Sequence, residues 1–379
     1  MPETSAESAI LMDAATGRVL YEENADERCL IASTTKIMTG LLVCEAGKLD
    51  QIVSVPSEAV GVEGSSMYLK PGEKLTRRDL LFGLMLSSGN DAAVALAIVV
   101  SGSVPQFVLL MNNRAERLGL SRTHFANPNG LDSEENFSTS RELAVLAAAA
   151  MKNSTFQSIV SQKSAQAAGR TLTNHNRMLW EYEGADGVKT GYTIAAGRIL
   201  VSSAVRRGRR LIAVTVRDRD DWRDHAAMLD FGFSLLRETP ILDAGRRVGE
   251  IRVLSGEKAY SALCVKEPLS VSVFPGEKPE LQLRVPDFCF APIQSGQAAG
   301  YLEIKVGTAV LSKQTVYYAE EVLQAEQKHK SLWQRIFGGS YGRTASKDTF
   351  PLWSGLPPKG GRAHSGPACP CEWKHRKSR

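Results

Sequence analysis

The chain has 379 residues, 43% of them hydrophobic and 23% charged, the balance of a globular protein long enough to bury ordinary cores in two or three domains. Its net charge of +5 comes from its end: from residue 341 onward eight Lys/Arg face two acids, which leaves −1 for residues 1–340. A folded part so near neutrality excludes a nucleic-acid-binding domain, which concentrates basic charge on its surface.

The start, MPETSAESAILMDA, lacks a basic residue followed by a long apolar run, so no signal peptide is visible. No stretch of about 18 apolar residues offers a membrane-spanning helix. Residues Ala9 to Tyr21 read as a hairpin around Thr16-Gly17. A helix is predicted from Ser33 to about Glu45, with Gly47 past its end. Thr76 and Asp79 form a capping box opening Leu80–Leu86, and Thr139 and Glu142 a second one opening Leu143–Met151. Further helices are predicted over Asp91–Val100, Pro105–Leu118 and Trp222–Leu236. Ile199–Val205 and Leu211–Val216 read as buried strands joined by a basic turn, Arg206 to Arg210. Strands at both ends of the first 240 residues, with helices between, predict one sheet built from both ends and a helical block beside it.

From about Leu242 to Tyr318 the pattern turns to period two, as in Leu269-Ser-Val271-Ser-Val273 and Leu281-Gln-Leu283-Arg-Val285, which predicts a small all-β domain. Over 320–338 the spacing of Val322, Leu323, Leu332, Trp333, Ile336 and Phe337, with Lys328, Lys330 and Arg335 off their face, predicts an amphipathic helix. Such a helix suits a membrane interface or docking on the β domain. Residues 339–379, rich in Gly, Pro, Ser and basic residues, read as a disordered tail. The six cysteines show no disulfide-framework spacing, and Cys369-Pro-Cys371 with His364 and His375 fits no common zinc pattern. No metal or organic cofactor is expected.

Three motifs carry chemistry: Ser33-Thr34-Thr35-Lys36, Ser88-Gly89-Asn90 and Lys189-Thr190-Gly191. A lone Ser-x-x-Lys means little, since Ser255-Gly-Glu-Lys258 is another and reads as a turn. The first one opens a predicted helix, where residues i and i+3 share a face, so Lys36 can reach the Ser33 hydroxyl. That hydroxyl needs a base to become a nucleophile. Lys36 must be neutral to serve, and burial with a nearby Lys189 cation lowers its pKa from about 10.4. Ser88 and Asn90 supply a proton relay and an amide, and Gly191 leaves a strand edge open to an extended peptide.

Helix, loop and strand motifs in this order are those of penicillin-binding proteins and class A β-lactamases. The chain resembles the low-molecular-mass penicillin-binding proteins with D-Ala-D-Ala carboxypeptidase activity (peptidase S11), especially the sporulation-associated type of Gram-positive bacteria. Ala32–Thr39, Glu63-Gly64-Ser65-Ser66, Ser88–Ala93, Asn127-Pro128-Asn129-Gly130-Leu131, Gly184–Thr193 and Ala291–Gln297 carry the likeness, over roughly residues 8 to 337. The resemblance implies an α/β catalytic domain over 8–240, an antiparallel sheet flanked by helices with a helical lobe. A small β domain follows over 241–319, then the helix 320–338 as a possible peripheral membrane anchor.

It also implies removal of the terminal D-Ala from peptidoglycan stem peptides through an acyl-enzyme on Ser33, with Lys36 as base and Ser88 and Asn90 completing the polar centre. Lys189 and Thr190 would hold the substrate carboxylate, and the backbone N–H groups of Ser33 and Tyr192 the oxyanion. β-Lactams would be covalent inhibitors, and the site of action the cell-wall side of the cytoplasmic membrane. Family members often place a further Arg near the carboxylate; Arg219 and Arg223 both lie in the matching region, and neither aligns clearly. No Glu-x-x-Leu-Asn setting occurs between Ser88 and Lys189, so the deacylating base of a class A β-lactamase is missing. Endopeptidase action and a non-catalytic scaffold are the other readings, the latter opposed by the intact Ser33, Lys36, Asn90 and Lys189.

Overall fold

The computed structural model describes residues 1–326, which divide into two compact units. The first comprises residues 1–239 with 272–280 and 305–312; the second comprises 240–271, 281–304 and the residues from 313 onward.

The first unit holds a five-stranded antiparallel sheet in the order Val19–Glu23, Ser8–Asp13, Arg209–Val216, Gly197–Arg206, Ala185–Thr193. Both ends of this unit therefore meet in one sheet, as the element order predicts, with Ile10 opposite Val214 and Val201 opposite Lys189. Successive strand residues face opposite sides. Ile10, Ile199, Val201, Ile212 and Val214 pack on the helical lobe with Ile37, Leu41, Leu143, Leu146 and Phe156. Their neighbours Ala9, Leu11, Leu200, Leu211 and Ala213 pack on Met228, Leu229 and Phe233 of the helix Asp221–Ser234. The sheet is buried on both faces, which is why its strands read as continuous apolar runs rather than alternating ones.

Of the two expected capping boxes, the one at Thr76 forms in full and the one at Thr139 only in half. Thr76 and Asp79 form a full capping box at the start of Arg77–Met85. Thr139 accepts from the Glu142 N–H at the start of Ser140–Met151, but the Glu142 carboxylate turns away to accept from the Arg122 N–H and the Thr123 hydroxyl. The remaining helices, Asn90–Ser101 and Val104–Arg117, lie within a residue or so of their expected bounds. Arg207 and Gly208 both have positive φ, the requirement of a two-residue hairpin turn that matches strand twist. Arg209 is not part of a solvated basic turn. It lies buried in its strand, with its guanidinium on the Asp13 carboxylate at 2.8 Å.

The second unit is all β. Its six-stranded sheet runs in the order Glu280–Arg284, Ala298–Val306, Ala309–Tyr318, Tyr260–Cys264, Arg247–Leu254, Phe288–Phe290. One face is covered by a core of Ile251, Val253, Leu263, Ile293, Tyr318 and Val322. Ser255 and Lys258 sit in the turn between two strands. The helix expected over 320–338 does not form over 320–326; the rest of it, and the tail 339–379, lie outside the described residues. Val322 is buried and exchanges two backbone hydrogen bonds with Ile293, at 3.0 and 3.1 Å, and Gln324 bridges Gly256, so these residues are extended and form isolated antiparallel β-bridges. Burial of one residue between exposed neighbours is a strand pattern, which the apolar pair Val322-Leu323 hid in the sequence.

Candidate active site

Ser33 lies in a 3₁₀ turn, Ala32–Thr35, that runs directly into the α-helix Lys36–Ala46. This turn places the Lys36 amine 2.8 Å from the Ser33 hydroxyl oxygen. Two further contacts clasp the amine: it donates to Asn90 Oδ1 at 2.7 Å and to the Asn129 carbonyl at 2.5 Å. Lys36 is wholly buried. Burial, and next the nearby Lys189, hold its pKa well below the usual lysine value.

Each clasping group is itself held. Asn90 opens the helix Asn90–Ser101, its Nδ2 donates to the Glu63 carbonyl and its backbone N–H to the Ser65 carbonyl. Asp91 accepts from the Met67 and Leu69 N–H groups and the Ser66 hydroxyl, shaping the loop that carries Ser65. The loop bearing Asn129 is folded by Asn127, whose Oδ1 accepts from the Gly130 N–H and whose Nδ2 donates to the Leu131 carbonyl. Gly130 has φ +87°, and a Cβ there would lie 1.9 Å from the Ala32 carbonyl oxygen. Only glycine lets this loop press against the Ser33 turn.

Lys189 is buried on the edge strand Ala185–Thr193, and its amine donates to the Thr190 carbonyl at 2.8 Å. Burial lowers its pKa to about 7. Gly191 also serves a purpose beyond an open edge. A Cβ on it would meet the Ser33 and Thr34 backbone nitrogens at 3.3 Å, so its absence brings the strand up to the Ser33 turn. Ser33, Ser88, Thr190, Gly191 and Tyr192 line one cavity of about 600 Å³. Ser88 takes the left-handed conformation, φ +56°, uncommon for a serine. The seven other residues expected in the site thus gather around Ser33.

The cavity also contains residues that sequence reasoning missed: Ser65, His175, Arg198, Asp221 and Trp222. Neither Arg219 nor Arg223 lines it, and Arg223 points to solvent with its guanidinium near Asp220. Arg198 does, from the strand next to Lys189, where it stands opposite Tyr192. Its guanidinium grips Asp221 through two bonds, 2.6 and 3.2 Å, so it is fixed in direction. Counting five residues on from Thr193, through the short hairpin, would have found it. His175 sits between two buried asparagines, and burial and Lys189 both lower its pKa.

A serine clasped to a buried lysine at the edge of an antiparallel sheet defines a serine acyl-transfer enzyme of the transpeptidase-like fold. Residues 1–220 match the D-alanyl-D-alanine carboxypeptidase family (peptidase S11), and residues 237–324 match the C-terminal domain of penicillin-binding protein 5. The chain belongs to this family and is a serine-type D-Ala-D-Ala carboxypeptidase of the penicillin-binding protein 5 type. It is 36% identical to the D-alanyl-D-alanine carboxypeptidase DacF of Bacillus subtilis, over 84% of this chain and 86% of that one. It is 35% identical to DacC of Escherichia coli, over 85% of each. Among solved structures, penicillin-binding protein 5 of Haemophilus influenzae superposes with a TM-score of 0.62 at 29% identity, covering 86% of this chain and 99% of that one.

Proposed function

We propose that Ser33 is the nucleophile, that neutral Lys36 is its base, and that the substrate is a peptidoglycan stem peptide ending in D-Ala-D-Ala. The observation that carries this reading is the three-way clasp of the Lys36 amine. A neutral amine has two N–H bonds and one lone pair. Asn90 Oδ1 and the Asn129 carbonyl take the two N–H bonds, which leaves the lone pair to accept the Ser33 proton. Ser33 Oγ then bonds to the carbonyl carbon of the penultimate D-Ala while its proton passes to Lys36. The oxyanion faces the backbone N–H groups of Ser33 and Tyr192. The C–N bond breaks as the departing D-Ala nitrogen takes a proton through Ser88, and water hydrolyses the ester.

The terminal carboxylate rests between Thr190, Lys189 and Arg198, the last held in place by Asp221. The Gly191–Tyr192 edge pairs with the substrate backbone. Penicillin forms the same Ser33 ester and, without a deacylating glutamate, persists there as an inhibitor. The work lies on the cell-wall side of the cytoplasmic membrane, and the sequence after Glu326, with Trp333 and Phe337 among basic residues, suits a lipid contact. Labelling with a fluorescent penicillin tests the chemistry. A lasting adduct, lost in Ser33→Ala together with D-alanine release, is expected. Rapid turnover of the adduct points to a β-lactamase, and labelling of the Ser33→Ala protein refutes the nucleophile.

A further inference from the structure

The outer face of the second unit's sheet carries an apolar surface that no step of the reaction uses. The edge strand Phe288–Phe290 pairs in parallel with Arg247–Leu254, setting Phe288 beside Arg252 and Phe290 beside Leu254. On its other side Arg252 pairs with Tyr260. Register partners point to the same face of a sheet. Tyr260, Arg252 and Phe288 therefore form one row across three strands, with Phe290 in the next row. Val253 and Cys289 turn the opposite way, into the core. The aromatic residues are open to solvent, with 53% of Tyr260, 46% of Phe288 and 63% of Phe290 exposed. The Phe288 and Phe290 rings stand at 89° with centroids 5.6 Å apart, a wedge and not a flat platform. Arg252 is exposed and has no carboxylate partner among the described residues.

We infer that this face, Tyr260, Arg252, Phe288 and Phe290, is a lipid-contacting surface that inserts its phenylalanine wedge into an anionic membrane. Three observations favour lipid over other occupants. Rings set edge to face leave no broad flat surface for a sugar to stack upon. A tyrosine and an unpaired arginine beside exposed phenylalanines make the composition of a membrane-interface contact, with an apolar body and polar tips. The described residues also end at this corner. The Ala325 N–H donates to the Ser255 carbonyl at 2.8 Å, one residue beyond Leu254, the partner of Phe290. In the sequence Trp333 and Phe337, among basic residues, follow within eleven positions of Glu326. The inference rests on the extracytoplasmic setting proposed above.

Co-sedimentation of the full chain with phosphatidylglycerol-containing vesicles, against phosphatidylcholine alone, tests it. Phe288→Ser/Phe290→Ser is expected to weaken binding about tenfold or more, since two half-exposed phenylalanines lose their burial in lipid. Arg252→Gln is expected to weaken it only on anionic vesicles. D-Alanine release from a soluble peptide stays unchanged in both. A Phe290→Trp chain supplies a reading free of folding loss: its added emission is expected to shift blue and to be quenched by brominated lipid. Equal vesicle binding by the double variant, or no quenching of Trp emission beyond that of the unaltered chain, overturns the inference. Loss of binding to isolated sacculi in place of vesicles makes the surface a glycan contact and also overturns it. Binding lost only in Trp333→Ser/Phe337→Ser leaves the membrane reading standing and removes this face from it. No vesicle binding by the unaltered chain removes both.

Discussion

Gly130→Ala tests whether close approach of the Asn129 loop to the Ser33 turn assembles the site. The added methyl carbon would lie 1.9 Å from the Ala32 carbonyl oxygen and 2.9 Å from the Ser33 nitrogen. A carbon and an oxygen rest at about 3.2 Å or more, so the loop or the turn must retreat by more than about an ångström. Both obstacles are backbone and cannot swing aside. The retreat carries away the Asn129 carbonyl, which sits 2.5 Å from the Lys36 amine. Misplacement by about 1 Å costs about 10²-fold in rate. Left-handed φ adds strain of about 1–2 kcal/mol for a residue with a Cβ.

The expected result is a penicillin acylation rate down about 100-fold, read by stopped-flow labelling, with a stability loss above the strain alone. Gly208→Ala is the control. Gly208 also has positive φ, +73°, but has nothing within 4 Å of its Cβ position, and it lies in the turn at the far end of its hairpin from the site. It is expected to lose only the strain and to acylate normally. Acylation by Gly130→Ala within threefold of normal would refute the geometric argument.

Lys36→Arg puts a permanent cation where the neutral base stood, so acylation is expected to fall by about 10²–10⁴-fold, and a near-normal rate would remove that role. In the unaltered enzyme acylation is expected to rise with pH through the lowered Lys36 value, because only the neutral amine accepts the Ser33 proton. Burial shifts Lys189 from its ordinary value of 10.5 to about 7. Between those values the unfolded chain binds a proton that the folded chain does not. Its contribution to stability therefore rises with pH from about 7 to 10.5 and is flat outside that window. Lys189→Met is expected to flatten that rise in urea unfolding measured across the window, and an unchanged slope would contradict the burial effect. Arg198→Gln is expected to raise KM more than it lowers kcat for a D-Ala-D-Ala peptide and to spare a C-terminally amidated analogue; equal effects on both would take Arg198 off the carboxylate. Val322→Asp, which buries an unpaired carboxylate in the β unit, is expected to cost about 3 kcal/mol. No loss of stability would mean Val322 does not hold its bridge to Ile293.

Features set by near neighbours were legible in the residues alone. Ser33 three residues ahead of Lys36, the Thr76 and Thr139 N-caps, the turn between the strands around Arg207-Gly208 and the alternation through Leu269–Val273 each follow from short-range sterics and hydrogen bonding, which a few adjacent residues specify. The sheet built from both ends of the first unit was legible too, since apolar strands buried on both faces can be satisfied only by pairing with each other.

Tertiary structure decided what depends on partners distant in sequence. That Asn129 completes the Lys36 clasp, that Arg198 and not Arg219 or Arg223 lines the cavity, and that Arg209 is buried on Asp13 all follow from strand register and loop approach across tens of residues. Residues 320–326 mark the same boundary. Val322-Leu323 suits a helix in isolation, but the backbone of Ile293 offers Val322 two hydrogen bonds and the β core takes its side chain, and a short segment takes the conformation that satisfies both.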